Sequence, residues 1–194
     1  MTNFFTLPLH WKSEPKQKKI TNTTLSFITE PYTDMWQRTH YGFQHENAPA
    51  ILTHFDDMKS IECSSQFHFN QLYDQCGLLL YINEDNWAKV SIEFASSSEL
   101  WLGSVVTNIG YSDWAFTTIP YTIDHMGYRI SRKGSDFLVE YSYDNIIFHS
   151  IRIFHLHELE NKDIYIGLYG CSPGNSSFQC QFNDVWIKDS QWQE

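Results

Sequence analysis

At 194 residues, with 42% hydrophobic, 16% aromatic and only 19% charged side chains, the chain has the makeup of a globular protein with one buried core, which excludes a disordered segment. Its formal net charge of −10 argues against nucleic acid, whose phosphates need a basic face to neutralise them, and disfavours anionic membrane surfaces. Seven Trp are the unusual feature: core packing accounts for most of them, and a platform that stacks on a ligand is the alternative for the rest.

The apolar stretch at residues 3–11 is short and its lysines follow it, unlike a secretory signal. Lys12, Lys16, Lys18 and Lys19, interrupted by Glu14 and Pro15, read as a solvated segment. From there nearly every periodic segment alternates with period two and is rich in β-branched and aromatic residues. Strands are expected over residues 25–29, 35–41, 50–54, 61–69, 77–82, 87–94, 100–107, 114–118, 121–131, 137–141, 146–154, 163–170 and 178–188. Asn83-Glu84-Asp85-Asn86, Ser96-Ser97-Ser98, Arg132-Lys133-Gly134-Ser135, Ser142-Tyr143-Asp144-Asn145 and Ser172-Pro173-Gly174-Asn175 favour tight bends between them. Only residues 156–161 are candidates for a short helical turn. Many meandering strands without a linker or repeat imply an all-β, two-sheet antiparallel β-sandwich, with residues 1–194 as one domain.

Cys63, Cys76, Cys171 and Cys180 form no Cys-x-x-Cys pair, so free thiols and a cytoplasmic location are expected. No stretch reaches the length of a membrane-spanning helix. His155-x-His157, with His149 nearby, lacks a carboxylate or cysteine at a recognised spacing; neither a metal site nor a cofactor is expected.

Alternation splits strand 87–94 by face. Ala88, Val90, Ile92 and Phe94 point one way into the core; Trp87, Lys89, Ser91 and Glu93 point the other. Ring, cation and carboxylate together suit a sugar, although from this strand alone a solvated face with a Lys89–Glu93 pair is the slightly favoured reading. Strand 35–41 repeats the mixture, with Asp34, Trp36, Arg38 and His40 on one face. If both strands share a sheet, Trp36 and Trp87 stack on pyranose rings while Asp34, Arg38, Lys89 and Glu93 bind hydroxyls. Asp74, Gln75, Asp113 and Trp114 are rim candidates, with turn capping an equal alternative for Asp74.

Five segments carry a family resemblance: Thr33-Asp34-Met35-Trp36-Gln37-Arg38-Thr39, Asp74-Gln75-Cys76-Gly77-Leu78-Leu79-Leu80-Tyr81, Trp87-Ala88-Lys89-Val90-Ser91-Ile92-Glu93, Val105-Val106-Thr107 through Ser112-Asp113-Trp114, and Gly170-Cys171-Ser172-Pro173. In this order they resemble the DUF1349 family. The resemblance implies a concanavalin A-like lectin/glucanase fold (a jelly roll), with ligands lying across a concave sheet. The C-terminal β-sandwich module of β-xylosidases looks similar, and some family members are linked by label to regulation of enolase. The loop Ser142-Tyr143-Asp144-Asn145 departs from an expected Asp-Gly, but Asn tolerates the same left-handed geometry.

Three functions remain in view. The first is non-catalytic intracellular binding of a carbohydrate or sugar phosphate, with regulation of sugar metabolism as its use. The second is interaction with a metabolic enzyme or a second copy of the chain as a homodimer. The third is a glycoside hydrolase-like enzyme using Glu93; it requires a second carboxylate across the scissile bond, and the Glu-x-Asp-x-x-Glu run of glucanases with this sandwich is absent.

Overall fold

Period-two alternation does build strands along the chain in the computed structural model, which describes residues 1–157 and 162–192. In chain order they are β1 (Thr2–Asn3), β2 (His10–Ser13), β3 (Lys18–Ile20), β4 (Thr24–Ile28), β5 (Met35–Gln37) and β6 (Gln44–Glu46). Then follow β7 (Ala50–His54), β8 (Lys59–Phe67), β9 (Gln75–Asn83), β10 (Asn86–Phe94), β11 (Glu99–Asn108) and β12 (Tyr111–Pro120). The last five are β13 (His125–Lys133), β14 (Asp136–Ser142), β15 (His149–His155), β16 (Tyr165–Cys171) and β17 (Gln179–Asp189). Among the described residues, the helical content is one 3₁₀ turn, Phe4–Thr6, and no helix is long and apolar enough to cross a membrane.

Two large antiparallel sheets form the sandwich. One runs β15-β14-β13-β8-β17-β4-β3, with β1 also paired to β17; the other runs β12-β11-β10-β9-β16-β7-β2. Their facing sides supply the main core, in which Leu78, Leu80, Val90, Ile92, Leu102 and Leu168 from the seven-stranded sheet meet Phe27, Ile61, Tyr128, Phe137 and Phe182 from the other. The Tyr128 hydroxyl crosses this core to accept from the Ile92 amide at 2.9 Å, satisfying its polar end. β5 and β6 pair only with each other, as a separate hairpin.

The differences from the sequence reading have local causes. Strand 35–41 stops at Gln37 because Arg38 and His40 take left-handed backbone angles, φ 56 and 61, which no continuing strand accommodates. Strand 121–131 starts only at His125, after a turn in which the Ile123 amide donates to Pro120. Strand 146–154 starts at His149 because Asp144 Oδ1 accepts from the amides of both Ile146 and Ile147, closing an Asx-type turn. Short strands β1, β2, β3 and β6 carry too few alternations to be read in advance. Most of the helical turn expected at 156–161 lies outside the described residues.

All four cysteines are free and buried. Burial pushes their thiols well above the ordinary range, which keeps them protonated and unreactive in the fold. Titration with a thiol reagent is expected to find four reactive groups in denaturant and essentially none in the native protein at short times; two or fewer after unfolding would contradict the assignment.

Candidate functional site

The pairing register fixes what the outer face of the seven-stranded sheet presents. Residues directly opposite share a face, so Tyr165, Tyr81, Trp87, Thr107 and Ser112 form one row across the strands, and Gly167, Leu79, Lys89, Val105 and Trp114 the next. Tyr169, Gly77, Ser91, Gly103 and Phe116 follow, then Cys171, Gln75, Glu93, Trp101 and Thr118. Two glycines flank Ser91 in the third row, leaving a trough in the sheet surface. Neither could gain a side chain cheaply: a Cβ on Gly77 would sit 1.9 Å from the Val90 carbonyl oxygen, and one on Gly103 would crowd Ala115 O at 2.8 Å and the Phe116 Cβ at 2.9 Å.

The first two rows are apolar enough to need a cover. Leu52, Leu79, Trp87, Val105 and Tyr169 form a second buried cluster with Met35, Ala48 and Ala50, and the β5–β6 hairpin lies over it. The hairpin is fastened at both ends. The Gln37 amide donates to Ser112 Oγ at 2.9 Å and the Gln37 side chain to the Glu84 carbonyl at 3.1 Å. At the other end Tyr81 donates to Glu46 Oε2 at 3.2 Å, and Lys12 pairs with the same carboxylate at 3.8 Å.

Where the hairpin ends, the remaining rows open into a cleft of about 520 Å³. Its walls are mostly aromatic. Trp36, Tyr41 and Phe43 come from the hairpin, Tyr73 from the loop before β9, and Trp114 from edge strand β12. Tyr41 stacks on Phe43 with centroids 5.4 Å apart, Trp36 meets Tyr41 edge-on at 5.6 Å, and Trp114 stacks on Phe116 at 4.3 Å. The Trp36 indole donates to Thr39 O at 2.9 Å, fixing its orientation.

The floor is polar and mostly buried. Lys89 is 3% exposed, donates to Gln75 Oε1 at 2.7 Å and stands 3.7 Å from Asp34 Oδ1. Gln75 Oε1 also accepts from the Tyr169 hydroxyl at 3.0 Å, and its amide nitrogen donates to Tyr73 O at 3.2 Å, so the Gln75 side chain is held at both ends. Asp34 is set by its own turn: Oδ1 accepts from the Met35 amide at 2.7 Å, and its amide donates to Asn47 Oδ1 at 2.9 Å. Glu93 lies beside them at 6% exposure. Burial pushes its carboxyl up to about 7; Lys89 opposes that shift and Asp34 adds to it.

Of the residues expected at a site, Asp34, Trp36, Gln75, Lys89, Glu93 and Trp114 do converge on this cleft. The other four do not. Trp87 shares the outer face but is fully buried beneath the hairpin, its indole donating to Glu84 O at 3.2 Å, so it offers no ring to a ligand. Arg38 sits in the left-handed turn and is drawn away to Asp85 at 3.1 Å and the Gly110 carbonyl at 2.7 Å. Asp74 is buried and works as a cap, its Oδ2 accepting from the amides of Asn70 and Gln71 and from Ser176 Oγ. Asp113 faces away to an ion pair with Arg152 at 2.6 Å. His40 likewise turns out to solvent. Tyr41, Phe43, His45 and Tyr73 were missed, although two aromatics and a histidine within residues 41–45 around Gly42 signal a ring-rich turn. His155 pairs with Asp136 at 2.7 Å, and no group of three or more potential ligands able to hold a metal occurs among the described residues.

Two sheets of this topology with an aromatic cleft on one outer face define a β-sandwich with a candidate small-molecule site. The chain belongs to the DUF1349 family, described as "Protein of unknown function (DUF1349)", which it matches over residues 11–190. It is 25% identical over 175 residues to Regulation of enolase protein 1 of Saccharomyces cerevisiae, covering 90% of this chain and 86% of that protein. A crystal structure of a functionally unknown protein from Saccharomyces cerevisiae superposes with a TM-score of 0.85 at 22% identity, covering 95% of this chain and 97% of that one. The GH43 protein BlXynB of Bacillus licheniformis matches at TM-score 0.70 and 11% identity, over 91% of this chain but 35% of its own, which shows a shared sandwich fold.

The raised Glu93 carboxyl has a consequence for stability. Its folded value lies above the ordinary 4.5, so around neutral pH the native state holds a proton that the unfolded chain has released. This contribution is complete below about 4.5 and is lost as pH rises through about 7. Between about pH 5 and pH 8 the wild type is therefore expected to lose on the order of 1–3 kcal/mol relative to Glu93→Gln. Urea midpoints across that range measure it, and parallel curves for the two proteins would contradict it.

Proposed function

We propose that the cleft binds a carbohydrate without cleaving it. The observation that carries this reading is a floor of fixed polar groups, Asp34, Gln75, Lys89 and Glu93, set between aromatic walls. A pyranose has the matching surfaces: flat C–H faces for Trp36 and Trp114, and a rim of hydroxyls for the floor. The name of the yeast relative, Regulation of enolase protein 1, supports a regulatory use of such binding. A small intracellular sugar, in the cytoplasm, is the ligand we favour. The exposed Tyr32, Phe43, Leu72 and Tyr73 around the mouth motivate a second reading, in which the same rim meets a protein partner.

Thermal-shift screening against a sugar panel, followed by calorimetry, tests the first reading. Trp36→Ala and Trp114→Ala are expected to weaken binding by about 1–3 kcal/mol each. Trp87→Ala should instead destabilise the fold by about 3–5 kcal/mol, because it empties the cluster beneath the hairpin. Product analysis on the same samples should find intact sugar; release of product that Glu93→Gln abolishes would establish an enzyme, and no binding across the panel would favour the protein partner.

A further inference from the structure

The Glu93 carboxyl is the unusual group of the cleft. It is only 6% exposed and lines the cavity, yet among the described residues no protein group hydrogen-bonds to it and Lys89 forms no ion pair with it. Its oxygens open to the cleft, so whatever fills the cleft supplies their hydrogen-bond donor. The other charges are already engaged. Lys89 is committed to Gln75 and Asp34, so the floor carries two carboxyls against one ammonium, and no arginine lines the walls. Among the described residues, an anionic sugar phosphate would find no unpaired lysine or arginine lining the cleft, on a chain whose net charge is −10.

The walls favour positive charge as well. The rings of Trp36, Tyr41, Phe43, Tyr73 and Trp114 surround the cleft, and aromatic faces attract organic cations, more strongly when water is excluded. We propose that the ligand is an amino sugar whose ammonium group sits against the Glu93 carboxyl while its ring stacks on the aromatic walls. The proposal deepens the carbohydrate reading and rests on it. The titratable groups facing Glu93 are Lys89 on β10, Asp34 ahead of β5, Tyr73 ahead of β9, and Tyr169 and Cys171 on β16; His45 of β6 lines the same cleft. Burial pushes the Glu93 carboxyl up to about 7, so seating a cation there should expel its proton.

Calorimetry near neutral pH with glucosamine, glucose, N-acetylglucosamine, glucose 6-phosphate and tetramethylammonium tests this. Glucosamine is expected to bind about tenfold or more tightly than glucose or N-acetylglucosamine, with glucose 6-phosphate weakest. Repeating the titration in buffers of different ionisation enthalpy should reveal a fraction of a proton released on binding glucosamine and none on binding glucose. Glu93→Gln, confirmed as folded by its melting curve, should lose both the preference and the proton release. Equal or tighter binding of neutral sugars by the wild type, or an amine preference that survives in Glu93→Gln, would overturn the proposal and leave carbohydrate binding standing. Tetramethylammonium binding as well as glucosamine, with no neutral sugar bound, would overturn both.

Discussion

A β-sandwich buries one face of each sheet and ordinarily leaves the other to water. Here the outer face of the seven-stranded sheet carries Leu52, Leu79, Trp87, Val105 and Tyr169, which must be kept dry, and the β5–β6 hairpin is what covers them. The rest of the site depends on that cover. Because the hairpin is narrow, it shields the rows around Trp87 and stops, and its aromatic turn becomes a wall standing above the uncovered rows. The cleft is therefore the place where an apolar sheet face and its cover end together.

The cover also explains how Lys89 is tolerated inside. A buried ammonium without partners costs several kcal/mol, and the penalty is offset only by well-placed acceptors. Gln75 supplies one directly, from the neighbouring strand, while Asp34 arrives from the start of the hairpin, so docking the hairpin brings the counter-charge. Glu93 is left at the end of the same face, with no ion pair to Lys89 and no hydrogen bond to it among the described residues. Packing and electrostatics thus produce one group whose proton is loosely committed, in the part of the protein most accessible to a small molecule.

How much of this was legible in the sequence follows from the range of each interaction. The split of strand β10 into Ala88, Val90 and Ile92 against Trp87, Lys89 and Glu93 depends only on period two, and the structure has it that way. Two-sheet architecture follows from the same local signal repeated many times. Which residues of the outward set meet solvent does not, because it depends on a hairpin more than forty residues away that the alternation itself concealed: residues 35–41 alternate well enough to read as one strand, yet the left-handed angles at Arg38 and His40 end it. That single break sends Arg38 to Asp85 and Gly110 and leaves Trp36 in the cleft. Trp87 looked like a platform for the same reason, since its direction is local and its cover is not. Gln75 and Trp114, expected only at a rim, are floor and wall because of register with Glu93 and Val105, which no single strand encodes.

The central claim is that the hairpin and edge tryptophans, Trp36 and Trp114, face a ligand while Trp87 lies beneath the cover. A nitrogen–proton correlation spectrum resolves the seven indole N–H groups separately, and following it during titration with a bound sugar tests the claim directly. The account predicts progressive shifts of the Trp36 and Trp114 signals, with little change at Trp87 and none at Trp11, Trp186 or Trp192. Shifts led by Trp87, or confined to Trp11, Trp186 and Trp192, would contradict it.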